Sequence, residues 1–532
     1  MTLQLVGRIA TGDSLLDEDL RDIDIFTTGD SNLLFATTGQ NGGISVWSLS
    51  ASGALARFVD SAYFSVWGMG IGAFDAVKVD GQAQLILSGT GAGKLIRYRF
   101  TDAGALYKAG KIDLPGDTTQ NHDALTTVNL TGGRTALYTV NSDTGVLIGW
   151  LSVGYGGLER EIGFSAPVAA LDTRNPVMLT QAEAGGVRYL LAADNSTSGV
   201  RSYRIDDDTG RLIERDNCGT EEGLGISLPT ALETVTAHDK TWIILAAAGS
   251  KSLSVMRLAE NGTLIPTDHI LDTRATRFDG VTALEVIEAD GHVFVLAGGS
   301  DDGISLFYLL PDGHLVHMQT VVHETGLGLE NITGITATRI GDELQVFVSS
   351  GTQGGLAQFT LPLGALGTVI KAGAGEDDDI PLWGTEGQDL LLAGTGRTTL
   401  RGQAGDDILV SNASGGILTG DAGADIFVLH PTTNRLVITD FQPGIDQLDL
   451  TRFPMLRSLD QLVPISSDSG LLLRFGETLI DIRSQTGKPL TIQDIWPAGL
   501  STPDRIHLPT PAPTPEIRGT READRLTGST HD

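Results

Sequence analysis

Three aspartates, Asp389, Asp407 and Asp425, stand 18 residues apart, and each ends the same short pattern, Gly-x-x-Gly-x-Asp. The glycines of that pattern are Gly384 and Gly387, Gly402 and Gly405, and Gly420 and Gly423. Glycine permits a tight turn, and a carboxylate offers a hard oxygen ligand at its end. The segment reads in strict nine-residue register as GTEGQDLLL (384–392), AGTGRTTLR (393–401), GQAGDDILV (402–410), SNASGGILT (411–419) and GDAGADIFV (420–428). One position of every unit is apolar, Leu391, Leu400, Leu409, Leu418 and Phe427, so a stack of short strands with a narrow core is expected. The second and fourth units put Thr398 and Gly416 where the others have aspartate.

This run resembles the nonapeptide of the repeats-in-toxin (RTX) proteins, G-G-x-G-x-D-x-U-x, which implies a calcium-binding parallel β-roll. Two nonapeptides make one turn in that family, so odd and even units fall on opposite edges. The resemblance implies two Ca2+ ions on the aspartate edge, one between the 389 and 407 turns and one between the 407 and 425 turns. The edge carrying Thr398 and Gly416 is expected to hold none. Ile438 to Leu450 resembles the stretch that follows such rolls, and its Asp440, Asp446 and Asp449 are either further calcium ligands or turn caps. Gly519 to Thr527 looks like the start of another nonapeptide, with Glu522 in place of a glycine, and is read either as a decayed remnant or as a C-terminal cut in a longer protein.

The larger part of the chain carries a different period. Trp47, Tyr98, Trp150, Tyr203, Met256, Phe307 and Phe359 recur every 51 to 53 residues, each in an alternating apolar strand. After each comes a turn ending in glycine and leucine: Gly53/Leu55, Gly104/Leu106, Gly157/Leu158, Gly210/Leu212, Gly262/Leu264, Gly313/Leu315 and Gly364/Leu366. Units of about four strands repeated radially make a β-propeller, and seven is an ordinary blade number. The expected fold is therefore all-β. A seven-bladed propeller (1–371) is followed by an acidic linker (372–383), the parallel roll (384–428), a β-rich cap (429–500), a proline-rich linker (501–515) and the start of a second repeat (516–532). Leu3 to Ala10 has no blade of its own and is expected to complete the last one, with Leu366 to Lys371 as the rival. The propeller repeats, notably 198–216 and 301–316, resemble seven-bladed propellers of the lactonase type, a resemblance of fold that does not transfer function.

A formal net charge of −30 and a pI near 4.5 argue against nucleic acid as a partner and for divalent cations. No apolar run approaches the length of a membrane span, and the first ten residues lack the features of a signal peptide. The RTX resemblance implies a bacterial protein exported in one step, without an N-terminal signal peptide, whose roll folds on meeting external calcium. Cys218 is the single cysteine and excludes an internal disulfide. For catalysis in the propeller channel the candidates are His122, Asp123, Glu233, Asp279 and Glu330; there is no H-E-x-x-H pair and no G-x-S-x-G elbow. The run Glu376 to Asp379 reads either as a first calcium turn or as a solvated linker. These features point to a secreted calcium-binding surface, matrix or adhesive protein, whose partners are protein or glycan or further copies of itself. The alternative is a calcium-dependent hydrolase or lactonase working in the channel.

Overall fold

The computed structural model describes residues 2–508 apart from 30, 40, 41, 51, 52, 64–73, 80, 89–94, 113–121, 142, 143, 155, 156, 163–170, 172–176, 196, 197, 374–380 and 501. The run Glu376 to Asp379 and the terminal repeat 516–532 lie outside these residues. The fold is all-β: a seven-bladed propeller and a parallel β-solenoid, with two one-turn α-helices, Ser14–Asp17 and Ile492–Ile495, among the described residues. Each blade is an antiparallel sheet of four strands. Blade one, for example, runs Leu20–Thr28, Ser31–Thr38, Gly43–Ser48 and Arg57–Tyr63 from the axis outward.

The seven large side chains of the 52-residue period sit on the third strands and are at most 7% exposed. In blades two, four, five and six the glycine turn that follows is an inter-blade joint. Gly313 of blade six has φ +87°, and a Cβ there would strike Trp242 and Thr267 of blade five. Gly262 of blade five likewise abuts Tyr189 and Arg215 of blade four. Only glycine combines that left-handed backbone with so close an approach. The leucine two residues on gives its backbone N–H to the outer strand of the preceding blade: Leu106 to Asp60 at 2.8 Å, Leu264 to Asp216 at 2.7 Å, Leu315 to Asp268 at 2.8 Å.

The same joint closes the ring. Leu3 N–H donates to Gln319 Oε1 at 2.7 Å, and Gln4–Ile9 pairs antiparallel with Leu356–Pro362 as the outer strand of blade seven. The N-terminal strand thus completes the last blade. Its rival, Leu366–Lys371, lies parallel to Gln388–Leu392 and opens the solenoid instead.

Two parallel sheets make the solenoid. One holds Leu366–Lys371, Gln388–Leu392, Ile408–Val410, Ile426–Val428 and Gln447–Asp449; the other begins Leu382–Trp383, Thr398–Ala404, Gly416–Ala422, Arg435–Phe441. Leu391, Leu400, Leu409, Leu418 and Phe427 meet in one core between the sheets. A three-stranded cap, Thr478–Ser484, Gly470–Phe475 and Val463–Ser467, continues the second sheet.

The three middle strands of the first sheet, Gln388–Leu392, Ile408–Val410 and Ile426–Val428, are buried on both faces. Leu390, Leu392, Ile408, Val410, Ile426 and Val428 point away from the solenoid core and join the apolar cluster of blades six and seven. Parallel strands covered on both sides read as continuous apolar runs, which accounts for Leu-Leu-Leu, Ile-Leu-Val and Ile-Phe-Val in the odd repeats. Polar contacts frame this seam. Arg452 of the cap pairs with Asp312 of blade six at 2.9 Å. Asp504–Arg505, from the stretch read as a linker, adds a fifth strand to blade five, and Arg505 forks onto Asp268 at 2.8 and 3.1 Å with both side chains at most 3% exposed.

Candidate functional sites

Two places concentrate carboxylates, and the chain builds them differently. On the solenoid, Asp389, Asp407 and Asp425 stack one above another at the start of successive strands of the propeller-facing sheet, 2%, 0% and 0% exposed. Each takes a backbone N–H from the coil before. Thr368 N–H reaches Asp389 Oδ1 at 2.5 Å, Asp389 N–H reaches Asp407 Oδ1 at 2.8 Å, and Asp407 N–H reaches Asp425 Oδ1 at 3.0 Å. Asp425 N–H continues to Asp446 Oδ1 at 3.1 Å, so Asp446 is the fourth rung. These carboxylates clip coil to coil.

The second oxygens separate the rungs. Asp389 Oδ2 accepts from Thr385 N–H at 2.5 Å and from its hydroxyl at 3.1 Å. Asp446 Oδ2 accepts from Gln442 N–H at 2.7 Å. Asp407 Oδ2 and Asp425 Oδ2 are buried and have no hydrogen-bond partner among the described residues. A buried carboxylate oxygen without a donor is costly, and burial pushes these two carboxyls up to about 8 and about 7. The neighbouring carboxylates add to both shifts.

The glycines make the room that these oxygens occupy. A Cβ at Gly402 would run into Asp407 Oδ2 and stand 2.9 Å from the Gly420 carbonyl oxygen, and one at Gly420 would run into Asp425 Oδ2. At Gly384 it would come within 2.6 Å of Asp389 Oδ2, near the Gly402 carbonyl. Gly387, Gly405 and Gly423 serve stacking. A Cβ on Gly405 would strike the Gly387 carbonyl, and one on Gly423 the Gly405 carbonyl. Asp440 and Asp449 are occupied as caps, Asp440 by Gly420 N–H at 3.1 Å and Asp421 N–H at 2.7 Å, Asp449 by Thr451 N–H at 2.7 Å. Among the described residues no three acidic, histidine or cysteine side chains converge as a metal set. A cation here would draw on carboxylate and backbone carbonyl together, the donor mixture that calcium accepts.

The second place is the propeller axis, a cavity of about 790 Å³. One side chain per blade, at the same position of each inner strand, lines it: Asp24, Asp75, Thr127, Thr180, Glu233, Glu285 and Thr336, spaced 51 to 53 residues apart. Four carboxyls and three hydroxyls thus form a ring, with Asp22 beside it and the exposed Arg21 and Lys78 among the lining residues. Burial, then mutual repulsion, pushes Asp24 up to about 7 and Glu233 up to about 8, and Glu285 is raised well above its ordinary value for the same reasons.

Of the catalytic candidates read from sequence, Glu233 alone stands in this ring. His122 is buried with its ring edge-on to Trp150, Asp279 pairs with Lys251 at 2.7 Å, and Glu330 accepts from Gln353 at 3.1 Å. The side chain of Asp123 lies outside the described residues. Asp24, Asp75 and Glu285 were missed, although the spacing that would have found them is the propeller's own period.

No family model matches the chain. Nor does any curated protein. Among solved structures, a protein from Lactobacillus plantarum is similar over 58% of this chain and 86% of its own, with a TM-score of 0.44 and 15% identity. A likeness of that degree carries no argument about function, and the propeller assignment rests on the strand pairing above.

Proposed function

We propose that this is a secreted calcium-binding surface or matrix protein in which calcium closes the solenoid and the propeller is the binding or assembly module. The observation that carries the calcium reading is the pair of buried oxygens, Asp407 Oδ2 and Asp425 Oδ2, which have no hydrogen-bond partner among the described residues and each pack on a glycine where a side chain would displace them. Bound there, calcium would supply positive charge to carboxylates that are otherwise costly to ionise. Asp407 and Asp425, with the carbonyls beside them, would hold it. Asp389 has donors on both oxygens and serves on this reading as a clip. Export and a surface role follow from the RTX-like motif.

Calorimetric titration of calcium into the chelator-treated chain tests the reading. Asp407→Asn and Asp425→Asn should each lower the stoichiometry, whereas Asp389→Asn should keep it and lower thermal stability. Undiminished binding in both the Asp407 and Asp425 variants would sink it.

One observation favours a second reading, a hydrolase acting in the channel. A 790 Å³ cavity ringed by hydroxyls and by carboxyls of unequal proton affinity has the makings of an acid–base site. On this reading Glu233 is the proton donor and Asp75 the base; burial raises the Asp75 carboxyl too, against the two hydrogen bonds from Thr127 at 2.7 and 2.8 Å that favour its ionised form. Turnover of lactone or ester panels, abolished by Glu233→Gln, would support it; no turnover on any of them would remove it.

A further inference from the structure

We infer that calcium binding in the solenoid and docking of the solenoid on blades six and seven are one coupled equilibrium, in which the propeller sets the calcium affinity. The inference rests on the calcium reading above and adds its regulation. Ligand and docking residues are chain neighbours at the start of three-residue strands: Asp407 directly precedes Ile408–Val410, and Asp425 directly precedes Ile426–Val428. Ile408 and Ile426 belong to the apolar cluster shared with the propeller, whereas the residues one further on, Leu409 and Phe427, belong to the solenoid core. A strand this short cannot shift at one face without shifting the carboxylate at its end.

A second thread runs through Gly367. Its carbonyl oxygen lies 3.4 Å from His292 Nε2 of blade six, and the next residue, Thr368, donates to Asp389 at the base of the ladder. His292 Nδ1 is in turn 3.0 Å from the Tyr308 hydroxyl inside the same blade. Propeller core, seam and ladder are therefore continuous.

If the carboxylate positions depend on docking, linkage makes docking depend on calcium by the same factor. Undocked, six apolar side chains of the first sheet face water, and the coil that calcium must close loses its support. The second sheet has no such dependence, because its outward positions, Thr399, Arg401, Ile417 and Thr419, face away from the propeller cluster and stay partly exposed.

The test is a calcium chloride titration of the full chain after chelation, comparing wild type with Ile408→Asn, Ile426→Asn and, as control, Ile417→Asn. Docking variants should raise the calcium midpoint at least about five-fold, the low end of ordinary coupling, and Ile417→Asn should leave it in place. Equal midpoints in all four chains would overturn the inference. Wild type that binds no calcium would instead overturn the calcium reading beneath it. Should the docking variants misfold, hydrogen exchange of the wild-type chain decides. Calcium should slow exchange in the propeller hairpins 289–292 and 310–315 at the seam and leave blade three, at 135–141, unchanged. Protection confined to 384–449 would refute the coupling.

Discussion

Glu233→Gln isolates the energetic cost of the carboxyl ring. Glu233 titrates near 8 in the fold against 4.5 for an ordinary glutamate, through burial first and then the charges of Asp24 and Asp22. A folded value above the unfolded one means that the fold holds the proton more tightly. The contribution to stability is complete below about 4.5 and is lost as pH rises through 8. At ~1.4 kcal/mol per tenfold change in proton affinity, the ceiling is about 5 kcal/mol. Glu233 is only half-buried and water reaches the channel, so on the order of 2 kcal/mol is the expected difference. The glutamine is uncharged throughout. Urea unfolding at pH 5 and pH 9, followed by circular dichroism at fixed saturating calcium, should show wild type losing that much more stability than the variant between the two pH values. Parallel losses would refute the argument, since the difference between the chains cancels the titrating groups that Glu233 does not reach, and relief of Glu285 in the variant acts in the same direction.

Arg505→Met should cost about 3–5 kcal/mol by leaving Asp268 buried without its cation, read as a lowered urea midpoint, with faster exchange at 264–271. Gly313→Ala should destabilise by ~2 kcal/mol or more, combining a strained positive φ with a clash on Trp242; an unchanged melting temperature would contradict the joint. Acid should loosen the seam. Burial and the nearby Arg452 push His430 down to about 4, so its contribution is intact above 6.5 and lost as pH falls from 6.5 toward 4. Asp312 adds to the loss at lower pH still, because hydrogen bonds from His314 and the charge of Arg452 overcome its burial and hold it well below the carboxylate range. Hydrogen exchange at 310–315 should rise over that window, and less so in His430→Gln. Thr398→Ala should leave calcium stoichiometry unchanged, as calorimetry would show.

The propeller was legible because its joints repeat. An aromatic or methionine on each third strand and a glycine–leucine turn after it are demanded by inter-blade contact, so the period survives wherever the blades touch. The ring in the channel obeys the same period but tolerates Asp, Glu or Thr at each position, and so it left no single-letter signature. The roll's core and its two-unit turn were equally plain, since Leu391, Leu409 and Phe427 must pair in register. Docking on the propeller was written in the same residues and went unread. Apolar neighbours on both sides of the core position, in odd repeats alone, mark a strand with no solvent face. Asp446 escaped the ladder because the coil before it runs 21 residues where the earlier ones run 18. Arg505 escaped because the long-range partner of a buried arginine has no local sequence mark.

The two sets of carboxylates differ in what stability can explain. On the ladder every aspartate accepts a backbone N–H from the coil before, so the side chain has a structural reason, and only the second oxygens of Asp407 and Asp425 exceed it. In the ring, Asp75 takes both the N–H and the hydroxyl of Thr127 on the next blade, and Glu285 accepts from the backbone of Ala337. Both therefore tie neighbours together. Among the described residues, Asp24 and Glu233 accept just the N–H of the residue that follows each of them. A threonine, as at Thr180 in the equivalent place of blade four, would fill the position without charge. Asp24 and Glu233 repel one another and, among the described residues, support no joint between blades, so their charge adds no stability there. The hydrolase reading would give them a use as acid and charge in the channel; on it Asp24→Asn, like Glu233→Gln, should stabilise the propeller at alkaline pH and abolish turnover, whereas stabilisation with no turnover in either chain would leave the two carboxyls without that use.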